Sequence, residues 1–390
     1  MELKVLTETD YQASIELSSY AFQYTVPTED IPKVKERLRD HHVVGLWDDI
    51  KLAAKLHIIP LHIVMNGQHW KMGGIAGVAT FPEYRRKGLV NELMAYSINK
   101  MKEEGQIVSL LHPFKISFYR KYGWEVFTEN RKLEIESSFL KMTQPITGNI
   151  RRFSKEDHHS EIESLYQVYC NRYNGMLVRD EIWWKNSVYS DAQIALYYNE
   201  EMQAKGYILY NIKDRVMDIH EIVSLDQNAR VQLWNYICQH DSMVDKVKIL
   251  LSVHEPFLYY LSEPKVKNEV EPYFMARIVD AKKCLEQYCF IDTKDKVIIH
   301  LEDEFAKWNN GTYFITTDEI KSFNAKEGSY CQHPPNRGLT MNINTLSAIL
   351  FGYKRPIELF EMDFIKGNSD EVKILDNKIP RVNGFFYDYF

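Results

Sequence analysis

Cysteine is scarce in this chain and poorly placed for cross-links. Cys170, Cys238, Cys284, Cys289 and Cys331 are spread over 390 residues, their number is odd, and none forms a C-x-x-C pair. This argues against a disulfide framework and fits reduced thiols in a cytoplasmic protein. Long apolar runs are also missing: none could span a bilayer. The opening MELKVLTETDYQ lacks the apolar centre of a signal peptide. Positive charge is not in excess, with 48 Lys and Arg against 54 Asp and Glu and a net charge of -6. An electrostatically driven nucleic-acid binder is therefore not expected. No low-complexity linker separates the segments, so they should pack against one another. These absences together predict a soluble, cytoplasmic protein with no nucleic-acid or membrane partner.

What is present is an ordinary globular balance, 45% hydrophobic and 26% charged. Aromatics reach 13%, with 25 Tyr, which suggests large packed surfaces or ligand pockets. A length of 390 residues exceeds one hydrophobic core, so two or three domains are expected. Residues 1–147 read as mixed α/β. HVVGLWDD, KLAAKLHIIPLHIVM and GGIAGVATF have strand character. From Leu89 the apolar positions Val90, Leu93, Met94, Ile98 and Met101 fall on one helical face, with Gly105 as a C-terminal stop. IVSLLHP then reads as a strand, FKISFYRKYG as a short helix and WEVFTENRKLEI as another strand. Residues 148–282 loosely repeat this order. Residues 283–390 alternate strand pattern and turn before a helix in TMNINTLSAILFGY.

The stretch FPEYRRKGLVNEL, from Phe81, sets Arg85, Arg86 and Lys87 at the start of a helix. A helix N-terminus already carries partial positive charge, so side-chain cations there are unfavourable unless a strongly negative ligand binds. Gly88 would let backbone approach that ligand closely. The loop has neither the GK[ST] of a Walker loop nor a G-x-G-x-x-G fingerprint. Its apparent counterpart in the second segment, SLDQNARVQLWNYI, has one Arg and no Gly.

The run Val78 to Val90 resembles motif A of the GNAT superfamily of acyl-CoA-dependent N-acyltransferases, [QR]-x-x-G-x-[GA]. Arg85, Gly88 and Val90 take its key places, Val90 departing from the usual small residue. Phe118-Tyr119-Arg120-Lys121-Tyr122-Gly123-Trp124 resembles the family's FYxKxGF segment. The chain further resembles the enhanced intracellular survival (Eis-type) acetyltransferases. Arg85-Arg86-Lys87-Gly88-Leu89, Arg179-Asp180-Glu181-Ile182-Trp183-Trp184 and the C-terminal segment carry that likeness.

The resemblance implies tandem GNAT folds, mixed sheets flanked by helices, plus a sterol-carrier-like α+β domain. It implies a catalytic unit at 1–147, a degenerate second GNAT-like unit at 148–282, and a third domain at 283–390 that lends the chain end to the active site. It implies acetyl-CoA as cofactor, held by Val78, Ala79, Thr80, Arg85, Arg86, Lys87, Gly88, Leu89 and Val90, with no metal. The acceptor would be a primary amine of an aminoglycoside-like polycation or a lysine side chain. Tyr119 would protonate the departing thiolate, and the terminal carboxylate of Phe390 would act as base, with His112 as the other candidate. Phe22, Tyr24, Asp388 and Tyr389 would line the acceptor pocket, with Trp183 and Trp184 as possible borders. The resemblance also implies a hexamer. Other readings are a tandem-GNAT aminoacyl- or fatty-acyl-transferase and a non-enzymatic carrier of a lipid or other hydrophobic ligand.

Overall fold

The computed structural model describes residues 1–156, 158–316, 319–323 and 337–390. Cys331 and the turn-rich GSYCQHPPN stretch lie outside the described residues. The first unit comprises β1 (Glu2–Val5), α1 (Tyr11–Phe22), α2 (Ile31–Arg39), β2 (His42–Asp48), β3 (Lys51–Met65), β4 (Gln68–Thr80), α3 (Leu89–Glu103), β5 (Val108–Leu111), α4 (Ile116–Arg120) and β6 (Glu125–Val126). β3 and β4 form a long hairpin. Its turn is Asn66-Gly67, both at positive φ (48° and 74°), the chemistry that a two-residue turn demands. The apolar face of α3, with Leu93, Met94, Ile98 and Met101, packs on Leu56, Ile58 and Ile75 of the hairpin. On the opposite face α1 and the end of α2 cover the sheet through Tyr11, Ile15, Leu17 and Leu38.

The second unit contains β7 (Glu129–Glu136), β8 (Asn149–Phe153), α5 (Ser160–Cys170), β9 (Tyr173–Asn174), α6 (Glu181–Trp183), β10 (Gln193–Tyr198), β11 (Ala204–Lys213), β12 (Val216–Ser224), α7 (Gln227–Cys238), β13 (Lys246–Ser252), β14 (Lys267–Pro272) and β15 (Met275–Ile278). The third has α8 (Ala281–Gln287), β16 (Val297–Glu302), β17 (Gly311–Ile315), β18 (Ile320–Phe323), β19 (Leu339–Asn342), α9 (Ile343–Leu350), α10 (Pro356–Glu361), α11 (Ser369–Lys378) and β20 (Asn383–Gly384).

The sheets match strand for strand. The first runs β1-β2-β3-β4-β5-β15-β6 and the second β8-β10-β11-β12-β13-β7-β14. In both, the fourth and fifth strands are parallel. The expected boundary at 147 does not respect the sheets. β7, N-terminal to it, pairs with β13 and β14 of the second sheet. β15, placed by sequence in the second segment, lies between β5 and β6 of the first. The units therefore exchange their sixth strands. The exchange ties them together, since neither sheet closes without a strand from the other stretch of chain. A further joint is ionic. Arg277 of β15, fully buried, donates to Asp303 of the third domain at 2.6 Å and to the carbonyl of Tyr122. Asn309 also donates to Asp303 (2.9 Å). A buried pair of this kind costs desolvation, which its mutual attraction and these hydrogen bonds offset.

Candidate active site

The site is an opening in the first sheet. β4 is paired with β5 only from Met72 to Ile75, against Val108 to Leu111. β4 then runs on to Thr80 while the chain after Leu111 turns away at His112-Pro113. The edge from Ala76 to Thr80 on that side is left without a partner strand, so its backbone groups are available to a ligand. A bulge marks the divergence: the β3–β4 register shifts between Lys55 and His57, and Gly77 takes a φ of 56°.

Beyond the edge, the polypeptide enters α3 through the basic loop. Gly88 is the N-cap residue at φ 83°, and no side chain caps the helix start. A Cβ at Gly88 would meet nothing within 4 Å, so the space before the first turn is open. Arg85, Arg86 and Lys87 are exposed. Arg85 Nε donates to the Thr80 carbonyl (3.3 Å), bending the loop back onto the strand. The loop's own acid, Glu83, is taken up by Lys51 at 2.5 Å. Uncapped N–H groups and the helix dipole thus face an open volume, with three cations in the loop that leads into it, an arrangement suited to a polyphosphate. Leu89 is buried beneath it in the helix core and Val90 half-buried.

Tyr119 lies on α4, 3% exposed, among Phe114 and Phe118. Burial, with a smaller contribution from Tyr122, raises its phenol so that it stays protonated through neutral pH. Tyr122 faces another way and packs edge-on against Phe305 of the third domain, 4.9 Å between centroids. Gly123, at φ 90°, runs so close to Arg277 that a Cβ would fall 1.7 Å from Nη1. The Tyr-Gly-Trp turn is therefore fixed by the buried ion pair.

The last residues of the sequence thread between the domains. Asn383–Gly384 pair with Tyr173–Asn174. Phe385 and Phe386 are fully buried, and Tyr387 donates to the Ile222 carbonyl at 3.1 Å. Phe390 lays its ring on Gly74, where a Cβ would come within 2.7 Å of it, and stacks edge-on with Phe274 (5.2 Å). Gly74 belongs to the paired part of β4, just before the opening. His112 touches Tyr389 (5.1 Å between centroids) and Tyr273 (5.4 Å), and burial lowers its imidazole. A cleft of about 340 Å³ lined by Glu221, Asp388 and Tyr389 and another of about 680 Å³ lined by His112, Phe114 and Tyr273 flank this segment.

The structure thus places Val78, Ala79 and Thr80 on the unpaired part of β4, Phe390 against its paired part at Gly74, Arg85 to Val90 beyond its end, and Tyr119 beyond β5. It corrects the expected role of Asp388. That side chain is no free carboxylate for a cationic amine. It is buried, bonded to Arg179 Nε at 2.9 Å and to Trp183 Nε1 at 2.8 Å, while Arg179 also grips Glu221 at 2.6 Å. Trp184 is fully buried core rather than a pocket wall. Tyr389 is exposed, as are Phe22 and Tyr24 at the end of α1. Among the described residues no ring contact joins Phe22 or Tyr24 to the chain end, and no cluster of three or more ligating side chains could hold a metal. No helix there is long and apolar enough to cross a membrane.

Comparison with known proteins agrees with this geometry. Family models for an acetyltransferase (GNAT) domain match residues 2–127 and, separately, 175–278. A sterol carrier protein domain matches residues 281–387. An uncharacterised N-acetyltransferase of Streptomyces avermitilis is 20% identical, covering 90% of this chain and 91% of that one. The N-acetyltransferase Eis of Mycobacterium bovis is 22% identical over 64% of this chain, a match spanning 63% of the relative's length. Among solved structures, a probable N-acyltransferase from Enterococcus faecalis superposes with a TM-score of 0.91 at 24% identity, covering 100% of this chain and 99% of that one. Eis1 from Mycobacterium abscessus superposes at 0.82 and 15% identity over the whole of both chains. Fold and site define an acetyltransferase with two GNAT units and a sterol carrier domain behind them, an enzyme of the acyltransferase class. More narrowly, the chain is an Eis-type acetyltransferase of the GNAT superfamily. GNAT acetyltransferases generally take their acyl group from acetyl-CoA.

Proposed function

We propose that this protein transfers acetyl from acetyl-CoA to the primary amine of a polycationic small molecule, such as an aminoglycoside, or of a lysine side chain, by direct attack. The observation that carries the reading is the docking of the Phe390 ring on Gly74, which sets the last residue of the sequence beside β4 where its pairing with β5 ends. Arg85, Arg86, Lys87 and the N–H groups of Gly88, Leu89 and Val90 hold the pyrophosphate. Backbone N–H groups at Val78 and Thr80, flanking Ala79, bond the pantetheine chain and polarise the acetyl carbonyl as it becomes an oxyanion. Tyr119 gives its proton to the sulfur as the C–S bond breaks. The Phe390 carboxylate faces the incoming amine as base, and His112 beside Tyr389 gives that end of the cleft an aromatic wall. The acceptor lies in the clefts flanking the chain end, against Tyr389 and towards Phe22 and Tyr24.

The test is steady-state acetylation of amines by three forms of the protein. Extending the sequence beyond Phe390 with a short tag should cut kcat tenfold or more while acetyl-CoA affinity stays within about twofold. Tyr119→Phe should lower kcat by about 10- to 100-fold, and Tyr122→Phe should not. Equal rates for tagged and untagged protein would remove Phe390 from the mechanism.

A further inference from the structure

Lys55 is a fully buried amine on β3, and no carboxylate among the described residues bonds it. Such a group is costly to charge in place. Its Nζ lies 2.7 Å from His57 Nε2, and His57 Nδ1 lies 3.4 Å from Nδ1 of His41. His41 follows α2 and is only partly buried. The three side chains form a file from the interior of the sheet to its surface.

Its position gives it a use. On β3, Ile59 faces Gly74, His57 faces Ala76 and Lys55 faces Ala79. Directly opposed residues share a face of the sheet. The file therefore lies on the face that receives Phe390, opposite the face covered by α3. The His57 ring fills the hollow at the β4 bulge, where a Cβ on Gly77 would come within 3.2 Å of it. The unpaired edge of β4 starts at that point.

We propose that Lys55, His57 and His41 form a relay that takes the proton shed by the acceptor amine and passes it to solvent. The inference rests on the N-acetyltransferase reading above. In this step an N–H bond of the alkylammonium breaks as the Phe390 carboxylate takes the proton, which moves on to the Lys55–His57 pair and then through His41 to water. The freed nitrogen pair forms the C–N bond, the C–S bond breaks, and the sulfur keeps that pair and takes a proton from Tyr119. The phenol recovers its proton from the second N–H of the intermediate. A carboxylate alone is a poor sink for this proton, because an α-carboxyl near 3.5 and an alkylammonium near 10.4 lie about seven units apart. Lys55 is better matched. Burial lowers it to about 7, so the neutral amine is available from neutral pH upward. Burial, then Arg37, lowers His41 to about 4, with Asp40 opposing. Burial, then Lys55, His41 and Arg37, holds His57 well below its usual value. Both imidazoles are thus neutral carriers at pH 7.

The experiment compares Lys55→Met and His57→Asn with the unmodified enzyme on two acceptors: an alkylamine, and its β,β,β-trifluoro analogue, whose weakly basic amine is largely neutral at pH 7. Both variants should lose tenfold or more in kcat on the alkylamine and stay within twofold on the fluorinated amine. Acetyl-CoA KM should not change. The alkylamine rate of the unmodified enzyme should rise through pH 7 and level off. In Lys55→Met it should keep climbing towards the acceptor's own pKa. Equal losses on both amines would show a merely structural cluster and overturn the relay, as would no loss on either. If the unmodified enzyme acetylates neither amine, the N-acetyltransferase reading falls and the relay with it. Turnover of both amines with unaffected variants removes the relay alone.

Discussion

The two GNAT units share one sheet plan and differ at the start of their fourth-strand helix. In the first, α3 opens on Gly88 with no capping side chain and three cations before it. In the second, α7 opens on Asp226, whose carboxylate accepts from the Ala229 N–H at 2.8 Å. The second unit has supplied its own anion and closed the site. Its strand opening is closed as well. Where β12 outruns its ladder with β13, Tyr387 bonds the Ile222 carbonyl, and Glu221 receives Arg179 and Tyr207. The bulge is kept, between Ile219 and Glu221, with His220 in place of a glycine. One fold thus yields an open anion site or a packed joint, and a few residues at the helix cap decide which.

The comparison can be broken from either side. The largest effect is expected from Gly88→Asp, which copies the cap of α7 onto α3. A Cβ fits there, and Asp tolerates the left-handed backbone at a cost of about 1 kcal/mol. Its carboxylate would occupy the helix start and repel phosphate, so acetyl-CoA affinity should fall by about 100-fold, some 2–3 kcal/mol, by titration calorimetry. Affinity within threefold of the parent would mean that the cation loop is not where the coenzyme's phosphates bind. The smallest effect should come from the reverse change. Asp226→Ala removes a cap and should cost about 1 kcal/mol in a denaturant melt, with kcat and acetyl-CoA KM unchanged. A fall in turnover would show that α7 serves the reaction.

The parts of the site that were legible in the sequence are those where backbone geometry restricts residue type. Arg85-Arg86-Lys87-Gly88 and Tyr119-Arg120-Lys121-Tyr122-Gly123-Trp124 are local, and each needs particular residues at fixed spacing: a glycine at positive φ before α3, another against Arg277. The strand exchange was not legible. Only Phe127 and Thr128 separate β6 from β7, no turn signal marks the crossing, and the strands are alike in apolar pattern. Asp388 was misread because its partner, Arg179, is 209 positions away, and a carboxylate near a chain end gives no sign of being neutralised. The Lys55–His57 pair did leave a trace. In KLAAKLHIIPL two titratable residues occupy alternate positions of a strand otherwise fit for burial on both faces, a conflict of the kind that marks functional sites.

The central claim is that one of two equivalent folds binds the coenzyme. Calorimetric titration of the intact chain with acetyl-CoA tests it most directly. The account predicts one equivalent bound per chain, lost in Gly88→Asp and kept in Asp226→Ala. Two equivalents per chain, or a single one that survives Gly88→Asp, would contradict it.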